Sequence, residues 1–319
     1  MKKKTIPLLV LGTTALTLIL GGCAKKDTES AQSLPAINKT TTEEISGKLD
    51  IKGSDTLLQL VSSMSEAFSQ NNPKAEITVT GGGSGTGIAS LINGEIKVAD
   101  ASRDVKQDET DQVTKMGKSF KKFIVARDGL SIIVNRNNPV KQLTVDQIGK
   151  IYRGEITDWG SVAGNKGPIN LYGRQSTSGT YEFLKDDVLK GDYASTMRNM
   201  EGNQAIIDAV KNDPTGIGYA GIGYAINAGD SITILNVAAT ENSTYFSPTD
   251  EANIKSSKYP ISRPLFQIMV DSPEKGGLIE KFMQFEISPE GEKIVKEAGF
   301  YPPSEQDKAS NEKFFSEIK

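Results

Sequence analysis

The chain has 319 residues, 37% hydrophobic and 24% charged, with a formal net charge of −3, one cysteine and no histidine. That length and balance suit a folded core of one large or two modest domains and argue against disorder. Lack of imidazole excludes a Ser-His-Asp triad, a Cys-His pair and histidine-ligated metal, and the acidic balance excludes a broad nucleic-acid surface.

Residues 1–22 read as a separate object: "MKKK" is followed by the apolar "IPLLVLGTTALTLIL" and then by "LGGC". A positive start and a short apolar run ending on small residues describe a secretory signal, too short to serve as a spanning helix. Small residues directly before the sole cysteine resemble the bacterial lipoprotein box, which implies lipidation of Cys23. Loss of Lys2, Lys3 and Lys4 with the signal takes the formal charge from −3 to −6. Only Cys23 then remains, so no disulfide supports the fold in an oxidising compartment. Residues 23–47 are polar without apolar period and read as a flexible tether.

Alternation of strand and helix signals starts at "KLDIKG". "TLLQLVSSMSEAF" places Leu57, Val61, Met64 and Phe68 on one helical face. "AEITVTGG" reads as a strand, "GIASLINGE" as a helix, "KVADAS" as a strand, and "KFIVARDGLSIIVN" (122–135) as one long β-type run. "QLTVDQIGKIYRG" carries a capping box at Thr144 and Gln147, with Leu143 placed to staple onto Ile148. "PINLYGR" predicts a strand, "GTYEFLKDDVL" a helix, and the tandem "GIGYAGIGYA" (216–225) a strand and turn. "GGLIEKFMQFEISPEGEKIVKEAG" predicts two helices split at Ser288–Pro289. The alternation predicts an α/β fold with largely parallel sheets.

The glycine run "GGGSGTG" (81–87) sits between a strand and a helix, where bare amides and the hydroxyls of Ser84 and Thr86 face the positive end of a helix. It lacks the lysine of a P-loop and the Rossmann spacing. The pattern recurs in "GSDT" (53–56) and "GRQSTSGT" (173–180), while "ADASRD" (99–104) supplies Ser102 and Arg103 after a strand. Any one such hydroxyl reads as a helix cap. Together, at the carboxyl ends of strands, they predict convergence on one small oxyanion, with Arg174 as a charged fork. About eight hydrogen bonds at ~1.5–3 kcal/mol each suffice for a micromolar ligand after desolvation.

At these residues the sequence resembles a known family, the extracytoplasmic phosphate-binding proteins of bacterial ABC transporters, the PstS type. "GSDTLLQL", "GGGSGTGIASLING", "ADASRDVK", "YGRQSTSGTYEF", "GIGYAGIGYA" and "FEISPEGEKIVKEAGFYP" follow its order, from about Leu49 to Pro303. The resemblance implies a type II periplasmic-binding fold with mixed, mostly parallel sheets: lobe one from 48–128 and 262–319, lobe two from 129–261, with the crossings inside 122–135 and near "YPISRPLF" (259–266). It also implies phosphate contacts at Ser54, Thr56, Ser84, Ser102, Arg103, Arg174, Ser178, Gly179 and Thr180, with Asp55, Gly85 and Thr86 beside them. Implied partners are inorganic phosphate, an ABC permease with its cytoplasmic ATPase, and the membrane through Cys23. A monomer without cofactor, metal, nucleic acid or catalytic role is expected.

One departure stands out. Many members carry Asp after the Ala-Ser pair, where it accepts the proton of phosphate, and here that position is Arg103. Discrimination against sulfate then falls to Asp55 or Asp104, and binding of sulfate or another tetrahedral oxyanion is the alternative. Arg103 also reads as a solvated or paired surface residue, and Asp55 as a helix-opening carboxylate. "SFKK" places Ser119 and Lys122 at the spacing of a Ser-Lys hydrolase, without that class's partner motifs. Tyr219 and Tyr224 read as packing residues, as does the lone Trp159.

Overall fold

The computed structural model describes residues 44–162 and 165–318. The expected signal (1–22), the lipidation position Cys23 and most of the tether lie outside the described residues.

In chain order the elements are β1 (Ser46–Gly53), α1 (Leu58–Asn71), β2 (Lys74–Thr80), α2 (Ser84–Ile92), β3 (Val98–Ala101), α3 (Gln107–Lys115), β4 (Phe120–Gly129) and β5 (Ser131–Asn135). β6 (Gln142–Thr144), α4 (Val145–Tyr152), β7 (Asn170–Arg174), α5 (Gly179–Phe183), β8 (Arg198–Met200), α6 (Asn203–Asn212) and β9 (Gly216–Ala220) follow. The remainder is α7 (Ile222–Asn227), β10 (Ile232–Ile234), β11 (Asn236–Ala238), α8 (Glu251–Lys255), β12 (Ser262–Val270), α9 (Leu278–Glu286), α10 (Pro289–Glu297) and α11 (Glu305–Ser316).

Two five-stranded sheets organise these elements, in the orders β2-β1-β3-β12-β4 and β10-β5-β9-β7-β8. In the first, β1 runs parallel to β2 and β3, and β12 runs antiparallel to β3 and β4. In the second, β7 is parallel to β8 and β9, and β5 antiparallel to β9 and β10. The fold is therefore α/β, as the alternation of signals predicts, and its sheets are mixed, as the type II fold implies. Leu57, Val61, Met64 and Phe68 are all buried, with Leu49 and Ile51 of β1 in the same core.

The β-type run over 122–135 is two strands in different sheets, separated by Leu130 alone. Leu130 N donates to the Ile261 carbonyl at 3.1 Å and Tyr259 Oη to the Leu130 carbonyl at 2.8 Å. The chain's return to the first sheet thus runs beside its departure.

"GIGYAGIGYA" departs from the strand-and-turn expectation, because its first half is β9 and its second half opens α7. The amides at this helix start are satisfied from far away: Ile222 N by Asp128 Oδ1 at 2.8 Å and Gly221 N by Asn203 Oδ1 at 3.1 Å. A local reading contains neither partner. The capping box at α4 is present, with Gln147 N on Thr144 Oγ1 at 3.1 Å and Thr144 N on Gln147 Oε1 at 2.9 Å. The C-terminal α11, which polar "KASNEKFF" conceals, is fastened through Asn311 to both backbone groups of Ile124 at 2.9 and 2.8 Å.

Candidate functional site

Because β1, β2 and β3 are mutually aligned, the loops after them open at one edge of the first sheet. They carry Ser54–Thr56, the glycine run with Ser84, and Ser102–Arg103. From the second sheet, β7 ends on Arg174 and leads through Ser178 into α5 with Gly179 and Thr180. The two groups of loops meet directly. Thr56 Oγ1 is 3.1 Å from Thr180 Oγ1, which is 3.4 Å from Ser102 Oγ, which is 3.4 Å from Ser84 Oγ. Four hydroxyls from four segments form one continuous chain, and all four residues are at most 1% exposed.

The hydroxyls do little helix capping. α1 and α2 begin at Leu57 and Gly83 with no side-chain cap, and only Ser178 caps its helix. They take their hydrogen bonds from other donors. Ser54 Oγ accepts from Thr56 N at 3.2 Å, Ser84 Oγ from Ser102 N at 3.0 Å, Ser178 Oγ from Tyr181 N at 3.4 Å, and Thr180 Oγ1 from Arg263 Nη2 at 2.9 Å. A hydroxyl has one proton and two lone pairs. With a lone pair engaged by N–H, each keeps its proton to donate, which is the polarity an anion needs.

Two glycines are required by close approach. Gly83 has φ +92°, and a Cβ there would stand 2.5 Å from the Thr177 carbonyl oxygen. A Cβ on Gly179 would stand 2.2 Å from Ser84 Oγ. The glycine run is less bare than its composition suggests. The amides of Gly82, Gly83 and Gly85 go to Asp55 Oδ1, the Gly53 carbonyl and the Thr177 carbonyl at 3.0, 2.8 and 3.0 Å. Thr86 Oγ1 donates back to Gly82 O at 2.8 Å. Gly85 and Thr86 therefore shape the loop and stitch it to its neighbours.

Arg174 is 2% exposed. Its Nη2 pairs with Asp55 and reaches the Glu201 carbonyl at 2.9 Å, while its buried Nε has no hydrogen-bond partner among the described residues. Its backbone N donates to Tyr219 Oη at 2.8 Å, and Tyr224 Oη donates to the Asp55 carbonyl at 2.8 Å. The tandem tyrosines are thus packing residues that also brace the ion pair. Burial pushes both phenols up to about 12, so they stay neutral donors and acceptors.

Arg103 is buried, contrary to a surface reading. Its two Nη atoms hold Glu109 at 2.8 and 2.6 Å, and only Nε has no partner among the described residues. Asp104 is off the site: it is exposed and paired with Lys122 at 2.8 Å. That pairing also removes Lys122 from Ser119, which is itself exposed.

A second guanidinium escaped the sequence reading. Arg263, in "YPISRPLF", is 2% exposed and pairs with the fully buried Asp128 through Nε and Nη2 at 3.0 and 2.8 Å. A lone arginine in the apolar β12 and an aspartate next to Arg127 at the end of β4 were the only available signal.

The chain matches the family model described as a PBP superfamily domain over residues 38–290. It is 30% identical over 303 residues to the phosphate-binding protein PstS of Staphylococcus aureus (strain USA300), covering 93% of this chain and 88% of the relative. Among solved structures, it is similar to a Clostridium perfringens protein with bound phosphate, described as a phosphate ABC transporter substrate-binding protein. That likeness has a TM-score of 0.70 and 28% identity, over 80% of this chain and 99% of that one. An ABC-type phosphate transport receptor from Vibrio cholerae follows, with a TM-score of 0.65 and 27% identity, over 80% and 100% of the two chains.

Proposed function

The chain belongs to the PstS family of ABC transporter phosphate-binding proteins, and from that membership we propose that it captures inorganic phosphate and hands it to a membrane permease. The anion is held between two lobes, residues 48–128 with 262–319 and residues 129–261. Ser54, Thr56, Ser84, Ser102, Ser178 and Thr180 donate their hydroxyl protons, and Arg174 supplies fixed charge. The observation that carries this reading is the unbroken chain of buried hydroxyls from Thr56 to Ser84, drawn from both sheets. Such donors in a dry site each contribute about 1.5–3 kcal/mol to an anion.

The protein works by binding and closure rather than by making bonds, and the closed form is what the permease and its cytoplasmic ATPase read. Lipidation at Cys23 and a tether that ends before β1, two residues short of the expected 47 because Ser46 and Gly47 already pair with Lys74 and Ala75 of β2, keep a monomer at the outer face of the membrane.

Sulfate is the second reading, supported by one feature: the position expected to carry an acceptor Asp is Arg103, whose fork is committed to Glu109. Sulfate brings no proton and needs no acceptor. Calorimetric titration with phosphate and with sulfate at several pH values tests the choice. Phosphate binding that tracks its second ionisation while sulfate stays weak supports the proposal. Equal or stronger sulfate binding removes it.

A further inference from the structure

Arg263 touches more of the site than its distance in sequence suggests. Its Nη1 donates to the Ser102 carbonyl at 2.8 Å and its Nη2 to Thr180 Oγ1 at 2.9 Å. The remaining contacts go to Asp128 Oδ2, while Asp128 Oδ1 takes the amide of Ile222 at the start of α7. The guanidinium carbon also lies 5.0 Å from the centroid of the Phe183 ring. One planar group thereby joins β12, the loop after β3, the start of α5 and, through Asp128, the start of α7.

Burying an ion pair gives little net stability, because desolvation offsets the attraction. An apolar pair of similar volume would serve packing equally well. What an apolar pair cannot do is set the direction of a proton. Guanidinium only donates. Thr180 Oγ1 must therefore accept from Arg263, and its single proton must point to another partner. Within the hydroxyl chain those partners are Thr56 and Ser102, and an anion competes for the same proton with full charge behind it.

We propose that Arg263, held by Asp128, is a positioning residue for oxyanion binding: it locks the Thr180 hydroxyl as a donor and places a second fixed positive charge one hydroxyl behind the anion. This rests on the phosphate reading given above. Lysine keeps the charge but cannot span Asp128, Ser102 and Thr180 in one plane.

The test is a double-mutant cycle read by titration calorimetry with inorganic phosphate, alongside ligand-free thermal melts. Thr180→Val removes the hydroxyl at constant shape. The wild type binds, and Arg263→Lys weakens binding by about 10-fold, the value of a charge-assisted hydrogen bond. In the Thr180→Val background, Arg263→Lys costs no more than about 2-fold, because the residue acts through Thr180. A purely structural role would instead lower both melts and add its full cost in the double variant, and that result overturns the inference. If Arg263→Lys does not fold, Asp128→Asn takes its place. It leaves an acceptor for Ile222 N but frees the guanidinium, and the same non-additivity is expected. A wild type that binds no phosphate defeats the underlying reading of the site. A wild type that binds, with Thr180→Val weakened and Arg263→Lys unchanged, defeats only the inference about Arg263.

Discussion

Thr56 and Thr180 stand 124 positions apart in the chain, and their hydroxyls lie 3.1 Å apart, one on a loop of each sheet. Both are buried, at 1% and 0% exposure. That contact is the point where loops of the two sheets meet, and under the proposed function single-residue changes here should act on binding more than on folding.

Ser84→Ala and Thr180→Val should each weaken phosphate binding by about 10- to 100-fold, since each removes one hydrogen bond to a charged group. Thermal melts of the ligand-free variants should stay within a few degrees of wild type. A variant that binds phosphate as wild type does would remove that hydroxyl from the shell.

Gly179→Ala is expected to abolish binding while leaving a folded protein. The added methyl meets Ser84 Oγ at 2.2 Å, so the loops must move apart and break the hydroxyl chain. Circular dichroism should be unchanged while calorimetry shows no phosphate heat. Normal affinity would mean that Ser84 and Gly179 need not approach.

Asp55→Asn should lower the ratio of phosphate to sulfate affinity by at least about 10-fold, the value of losing one charged acceptor. Asp55 is the carboxylate bound to Arg174, and a proton on the bound anion requires an acceptor. Competition titrations read the ratio. An unchanged ratio would assign discrimination elsewhere.

Stability should fall as pH rises from about 4 to about 8. Burial, with Gln267 partly opposing it, pushes the Asp100 carboxyl up to about 8. Burial and the neighbouring Asp100 charge raise Glu286 well above the usual carboxylate range. Both are about 1% exposed and are linked by Gln267, whose amide donates to Glu286 Oε1 at 3.0 Å. The folded state therefore holds protons that the unfolded chain has released. Stability from these groups is complete below the unfolded value and is lost as pH climbs through the folded one, with a slope of about 1.4 kcal/mol per pH unit for each proton. Glu286→Gln should flatten the urea midpoint against pH and stabilise the protein at alkaline pH. A variant curve parallel to wild type would contradict the buried proton.

Much of the site was legible because its polar residues sit where strands hand over to helices. Ser54, Ser84, Ser102 and Ser178 follow strand signals, and glycine marks the places where loops must approach. Arg263 and Asp128 were not legible, because their meaning lies in a contact across 135 positions, and Asp128 stands next to Arg127, the nearer partner a local reading would give it. Asp100 and Glu286 were hidden for the same reason. The strand-to-helix change inside "GIGYAGIGYA" failed likewise, since the acceptors at that helix start belong to Asp128 and Asn203. The glycine run misled in the opposite sense: its composition promised free amides, and the fold uses several to fasten loops.

Arsenate is tetrahedral, matches phosphate in charge and scatters X-rays anomalously, so a crystal grown with it locates the anion directly. The account predicts one anomalous peak per chain within hydrogen-bonding reach of the Ser84, Ser178 and Thr180 hydroxyls and the Arg174 guanidinium. A peak elsewhere on the surface, or a hydroxyl chain left untouched at saturating arsenate, would contradict it.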